Sequence, residues 1–203
     1  MVKIKLEEKE YLMPENYDEM TLDAFIRITK VQESGLQYEF QEMFLIKMLE
    51  ALIGVEGGDL DELTLEDLAN LAEKLKYLLT EPKPKKVDKI VIGDITYAFP
   101  DNYNKLTTGE IISIRTLNEG KSTGESILNL LSIILRPAIL QVDSETGREY
   151  WKRVKFDAQN LEHRKRIFGN LPVLECLYSV NFFLTGRETL TELTQDFMIE
   201  EQK

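Results

Sequence analysis

The sequence predicts a predominantly helical α+β protein made of two tandem repeats, each a short β element followed by helices. Three observations carry that expectation. Residues 3–28 and 89–114 match without a gap at an offset of 86. Each stretch opens on alternating apolar and polar residues, the pattern of a short strand. Each then passes through a Pro-x-Asn-Tyr loop and a threonine into apolar residues spaced for one face of a helix.

The match extends well beyond those stretches. With residues 2–52 set against 88–138, thirteen of 51 pairs are identical, among them Tyr11/Tyr97, Pro14/Pro100, Asn16/Asn102, Tyr17/Tyr103, Thr21/Thr107 and Leu49/Leu135. Chance at average residue usage would give roughly one identity in sixteen. Conservative pairs such as Leu6/Ile92 and Val31/Leu117 fill further apolar positions. Duplication and fusion accounts for this better than a likeness between two amphipathic segments.

In the second copy, Lys89–Ile92, Gly93-Asp94 and Ile95–Phe99 read as a hairpin on a glycine-led turn. The first copy has Glu7-Glu8 at that turn. Thr21 and Thr107 are N-cap candidates, and Asp23 and Glu110 add negative charge to the first turn of helices over 21–33 and 107–118. Leu22, Phe25, Ile26 and Ile28 form the apolar face of the first helix, and Ile111, Ile112 and Ile114 answer them in the second. Second helices follow at about 38–53 and 124–135. Phe40, Met43, Phe44, Ile46, Leu49 and Leu52 surround much of the helix at 38–53, which is expected as the buried centre of its repeat. The helix at 124–135 stops at Arg136-Pro137, because proline disfavours helical backbone in the residue before it.

Beyond these helices the halves diverge. Repeat one occupies 1–81 and continues with an acidic loop, Val55–Leu63, and a helix at 65–79 capped by Thr64. Residues 82–87, with two prolines and three lysines, make an extended, solvated linker. Repeat two, 88–203, carries a basic-aromatic insert at 142–168 and C-terminal helices. Within the insert, Val142–Lys155 reads as a hairpin about Thr146-Gly147, followed by a helix at 157–168. A last long helix is expected at 172–184, started by Asn170 and Pro172, with Val173, Leu174, Leu177, Val180 and Phe183 on its apolar side. Residues 187–203 begin as a short helix.

Chemistry is sparse. Gly120-Lys121-Ser122-Thr123 resembles the end of a phosphate-binding loop, but Arg115 stands where the leading glycine belongs, and the alignment puts the run between helices. His163 is the one histidine, so no histidine pair exists for a metal, and its charged neighbours suit a solvated helix face. Cys176 lies on an apolar stripe and reads as core rather than nucleophile. Glu56, Asp59, Asp61, Glu62, Glu66 and Asp67 are acidic, but their glycines precede Asp59, out of register for a calcium loop. The expectation is a protein that is not an enzyme and uses no cofactor or metal.

The net charge of −11 argues against binding nucleic acid or anionic membrane over the whole surface. One segment runs against it. Residues 148–166 hold seven cations against three carboxylates, a net of +4 that leaves −15 for the rest of the chain. Arg148, Trp151, Lys152, Arg153, Lys155, Arg164, Lys165 and Arg166 are therefore the partner-binding candidates. With Tyr150 and Phe156 interleaved, the segment suits a protein interface, stacking on bases, or simply a basic helix over buried aromatics. The single cysteine and the charged first ten residues fit a chain made in a reducing cytoplasm without a signal peptide, and no apolar run is long enough to span a bilayer.

The run Leu106-Thr-Thr-Gly-Glu-Ile-Ile-Ser-Ile114, with the helix end Ile127–Pro137 and the Pro-x-Asn-Tyr loop, resembles small duplicated proteins encoded among the structural genes of tailed phages of Bacteroidota, including crAss-like phages. The resemblance covers most of residues 3–138. It implies a virion-associated protein: cargo in the head or tail lumen, a neck or tail component, or an assembly chaperone absent from the mature particle. It carries over no catalytic residue. The partners it implies are other virion proteins, together with further copies of the chain; nucleic acid is the lesser alternative, left open by the basic-aromatic composition of 148–166. The places it implies are the virion and, during assembly, the host cytoplasm.

Overall fold

Why do these segments become helices and hairpins? Much of the answer lies in local hydrogen bonding at their ends. In the computed structural model, residues 1–6, 9–35, 41–55, 58, 60, 63–87, 89–100 and 105–178 are described. Five sequence expectations fall partly or wholly outside them: the Glu7-Glu8 turn, Phe40, most of the acidic loop, the Asn102-Tyr103 turn, and everything from 179 onward.

Strand β1 (Val2–Leu6) pairs antiparallel with β2 (Lys9–Met13), Val2 opposite Met13 and Leu6 opposite Lys9. Asn16 caps a 3-10 turn, Tyr17–Glu19, and Thr21 caps α1 (Leu22–Glu33) by accepting from the Ala24 N–H. Helices α2 (Gln41–Ile53) and α3 (Leu65–Lys74, capped by Thr64) follow. A 3-10 turn at Lys76–Leu79 finishes the stretch expected to be helical to 79. From residue 89 on come β3 (Lys89–Ile92), β4 (Ile95–Ala98), α4 (Thr108–Asn118) and α5 (Thr123–Ile134). Gly93 makes the β3–β4 turn with φ +57°. Thr107 and Ser122 both form full capping boxes, with Glu110 and Glu125 reaching back to the cap N–H. The fold is mixed α+β, as expected.

Arg136-Pro137 does end α5, but it also begins a strand. β5 (Arg136–Val142) sets Tyr97 against Pro137 and Ala98 against Arg136, then continues as a hairpin with β6 (Glu149–Arg153). The sheet order is β3-β4-β5-β6. The helix expected at 157–168 divides into a 3-10 turn, Ala158–Asn160, begun by the Asp157 side chain, and α6 (Leu161–Phe168). Asn170 does not start the last helix. Thr21 bridges Pro172, and Leu22 N–H donates to the Leu171 carbonyl while Val173 N–H donates to that of Met20. Those bonds tie 171 and 172 to the start of α1, and helix begins at 173.

The core is continuous through both halves: Met13, Leu22, Ile28 and Leu49 pack in one cluster with Ile127, Leu131, Leu135 and Phe168. A smaller cluster of Leu106, Ile114, Leu130, Ile133, Ile134 and Leu161 lies under α4 and α6. Helices α1 and α5 cross at Gly124, where a Cβ would stand 2.7 Å from the Ile26 Cα. Two sequence expectations need correction here. Ile112 points to solvent, on the side of α4 that it shares with the exposed Thr108, Arg115 and Thr116. The buried centre is α5, packed by α1, α4 and α6, whereas α2 buries only Met48–Leu52 and leaves Met43 exposed. Between α2 and the α3–3-10 stretch an open apolar groove of about 150 Å³ remains, lined chiefly by Phe44, Leu45, Met48, Leu75, Leu78 and Leu79.

Candidate protein interface

The basic-aromatic segment becomes two different things in three dimensions: a projecting ribbon and a buried ionic cluster at its base.

The ribbon is built from its turn. Asp143 accepts hydrogen bonds from the Thr146 and Glu145 N–H groups and the Thr146 hydroxyl, which hold its carboxyl below the usual carboxylate range. Gly147 supplies the positive φ of 68° that closes the turn. From there the register runs Val142↔Glu149, Gln141↔Tyr150, Leu140↔Trp151 and Ile139↔Lys152. Directly opposed residues share a face. One face therefore presents Ile139, Gln141, Tyr150 and Lys152, and the other Leu140, Val142, Glu149 and Trp151.

Both faces leave apolar side chains exposed. Ile139 is 64% exposed, Leu140 44%, Val142 63% and Tyr150 45%. Strand β4 reaches β5 only at Arg136 and Pro137, so among the described residues the outer edges of β5 beyond Ala138 and of β6 have no strand beside them. An isolated two-stranded ribbon is marginal in water, and open edges are templates for another chain. Within the ribbon, Tyr150 donates to the Gln141 side chain at 3.0 Å, and Lys89 sits 4.7 Å over the Trp151 ring.

The base is ionic. Glu110 is fully buried; its Oε2 accepts from the Thr107 N–H and hydroxyl, which leaves Oε1 facing Arg136 at 3.3 Å and Arg153 at 3.5 Å. Arg153 also donates to the Ile134 carbonyl at 2.8 Å, and Arg164 to the Asp157 carbonyl at 3.2 Å. Burial pulls the Arg136 and Arg164 guanidinium pKa values below their ordinary level, and their mutual repulsion lowers Arg164 further. This cluster pins the ribbon to α4 and α5.

The eight candidates thus separate. Arg148, Lys152, Lys155 and Arg166 are exposed, and Lys165 is half-buried in an ion pair with Glu162 at 2.8 Å. Trp151 is half-buried beneath Lys89. Arg153 and Arg164 turn inward, against the expectation of a shared binding surface: Arg153 meets Glu110 and the Ile134 carbonyl, and Arg164 donates to the Asp157 carbonyl while its Nε is left without a hydrogen-bond partner. Sequence reasoning overlooked Ile139, Leu140 and Val142; the unalternating run Ala138-Ile139-Leu140 after a helix-ending proline was the available signal. It also overlooked the apolar groove.

The remaining motifs lie elsewhere in the fold. His163 is exposed on α6 and Cys176 is buried, its thiol pushed up to about 12 mainly by desolvation. Of the run resembling a phosphate loop, Ser122 is the cap of α5, and Thr123 N–H donates to the Glu33 carboxylate. Among the described residues no cluster of three or more His, Cys, Asp or Glu is placed to hold a metal, and no helix is long and apolar enough to cross a membrane. Compared with protein-family models, curated proteins and solved structures, the chain matches none.

Proposed function

We propose that this is a non-enzymatic, virion-associated protein of a tailed phage that acts by protein–protein contact, with the β5–β6 ribbon as its docking element. The observation that carries the docking role is the ribbon itself, apolar on both faces, open at its edges and flanked by outward cations. Such a surface suits addition of a partner strand or burial against another subunit. The phage setting rests on the resemblance of residues 3–138. In this reading the two β-β-α-α runs are copies of one unit joined through a common core. Only the second copy acquires the ribbon.

Quantitative mass spectrometry of particles from the encoding phage, scaled to the major capsid protein, tests the proposal. Tens of copies per particle are expected. Absence from particles together with abundance in infected cells would replace the virion role with that of an assembly chaperone. A protein that is strictly monomeric and never cofractionates with particles would end both readings. Salt-dependent retention on DNA, lost on changing Arg148, Lys152, Lys155 and Arg166 together, would instead identify a nucleic-acid-associated regulator.

A further inference from the structure

We propose that the ionic cluster at the base of the ribbon is a binding site for one small inorganic oxyanion, of the phosphate or sulfate class, held by Arg136 and Arg164. The site is independent of the docking role proposed above, and neither reading depends on the other.

Charge is the first observation. Arg136 opens β5, Arg164 lies on α6, and each is 5% exposed. Among the described residues the buried carboxylate beside them is Glu110, and it is already divided. Its Oε2 takes the Thr107 N–H and hydroxyl, and its Oε1 faces both Arg136 and Arg153. Arg136 therefore has a share of one carboxylate, while Arg164 donates to a main-chain carbonyl, that of Asp157. The Asp157 carboxylate is exposed and accepts from the Gln159 N–H and the Asn160 amide. Tyr97, whose phenol is within electrostatic reach of Arg164, is buried, and desolvation raises its pKa, so it stays neutral. Burial lowers the pKa of both guanidinium groups, but arginine keeps its proton inside proteins and cannot shed the charge.

Hydrogen bonding is the second observation. Among the described residues, Nε of Arg136 and Nε of Arg164 are both buried without a hydrogen-bond partner. Nε and the neighbouring Nη form the edge through which a guanidinium grips an oxyanion by two parallel N–H bonds. Water satisfies such donors but leaves the charge uncompensated; an oxyanion does both. It also screens the repulsion between Arg136 and Arg164. The Arg136 and Arg153 side chains are 6% and 10% exposed, which sets the cluster just beneath the surface. An ion seated there neutralises the point at which the ribbon joins α4 and α6.

The test is isothermal titration calorimetry of the full chain, dialysed free of phosphate and sulfate, in about 0.15 M sodium chloride to screen the surface. Titration with inorganic phosphate is expected to show one saturable site per chain. Its dissociation constant should fall between about 1 μM and 1 mM, the range open to so small a ligand. Sulfate should compete. Arg164→Met should weaken binding at least about tenfold, since it removes one of the two charged forks. Arg115→Met, which deletes an exposed cation on α4, should leave it unchanged. Glu110→Gln removes the competing carboxylate and should tighten binding at least about threefold. That variant decides the matter if Arg164→Met does not fold. Ion chromatography of the acid-denatured chain covers an ion carried through purification: one phosphate or sulfate per chain, lost in Glu110-intact Arg164→Met, supports the site equally.

Heat that never saturates would mean an adventitious ion only, of the kind any protein surface gathers, and would overturn the assignment. Saturable binding that is indifferent to both Arg164→Met and Glu110→Gln would place the ion elsewhere and overturn it too. Displacement of phosphate by chloride at equal concentration would show a site that selects charge alone, against an oxyanion held by paired N–H groups.

Discussion

Replacing Glu110 by glutamine isolates the energy of one buried charge. Glutamine keeps the shape and still completes a capping box, since its amide oxygen can accept from the Thr107 N–H. What disappears is the carboxylate facing Arg136 and Arg153 at 3.3 and 3.5 Å, in a place where Glu110 has no solvent exposure and those side chains have 6% and 10%. Removing one member of a buried ion pair costs about 3–5 kcal/mol, because the remaining charges keep their desolvation penalty without its compensation. Glu125→Gln is the internal comparison. It occupies the same third position of a capping box on α5, but its side chain is 30% exposed and its partner Lys30 is 53% exposed. Exposed pairs contribute about 1 kcal/mol or less. Against a total stability of about 5–15 kcal/mol, Glu110→Gln should fold but unfold early. Equilibrium urea denaturation followed by far-ultraviolet circular dichroism reads the difference. With a slope of about 2 kcal/mol/M, the midpoint should drop by about 2 M for Glu110→Gln and by no more than about 0.5 M for Glu125→Gln. Equal midpoints for the two variants would refute the claim that the ionic cluster anchors the ribbon.

Two further predictions concern helix α5 and its cap. Gly124→Ala should destabilise by about 1–3 kcal/mol despite alanine's better helix propensity, because the new Cβ meets Ile26 backbone at 2.7 Å, whereas Gly109→Ala, whose nearest neighbour is Phe156 at 3.8 Å, should be neutral or stabilising; melting temperatures decide. The Glu125 carboxyl is held below its ordinary value of 4.5, first by the hydrogen bond to Lys30 and then by those to Ser122. A depressed folded-state pKa contributes stability that is present above 4.5 and is lost as pH falls through the lower folded value. The stability gap between wild type and Glu125→Gln should therefore narrow on acidification below that point, and a gap unchanged down to complete protonation would contradict the assignment.

The parts of the fold legible in the sequence are those specified within a few residues. Thr21, Thr64 and Thr107 each accept from a backbone N–H three residues on, and Gly93 alone makes its turn, so local chemistry is enough to place α1, α3, α4 and the β3–β4 hairpin. Strand β5 is a different case. Its start is fixed by pairing of Pro137 with Tyr97 and of Arg136 with Ala98, partners far away in the chain, and a seven-residue strand reads locally as the tail of a terminated helix. Arg153 and Arg164 were grouped with their exposed neighbours for the same reason. A charged residue turns inward only where a distant acceptor waits, and here the acceptor for Arg153 is the capping-box glutamate of α4.

The uncovered surfaces lie where the internal match ends. Matched residues 2–52 and 88–138 supply most of the side chains that meet across the shared core, including Met13, Leu22 and Ile28 from one stretch and Ile127, Leu131 and Leu135 from the other. Past residue 52 the first half continues into α3 and the 3-10 turn, and these close over α2 only partly, leaving the groove. Past residue 138 the second half continues into the ribbon, whose first residue, Ile139, is already exposed. Core packing constrains the inner faces of the matched segments, since at the α1–α5 crossing even one methyl group has no room at Gly124. The unmatched segments carry no such constraint on their outer faces, yet those faces hold leucine, isoleucine and tyrosine instead of the lysine and glutamate that solvation favours.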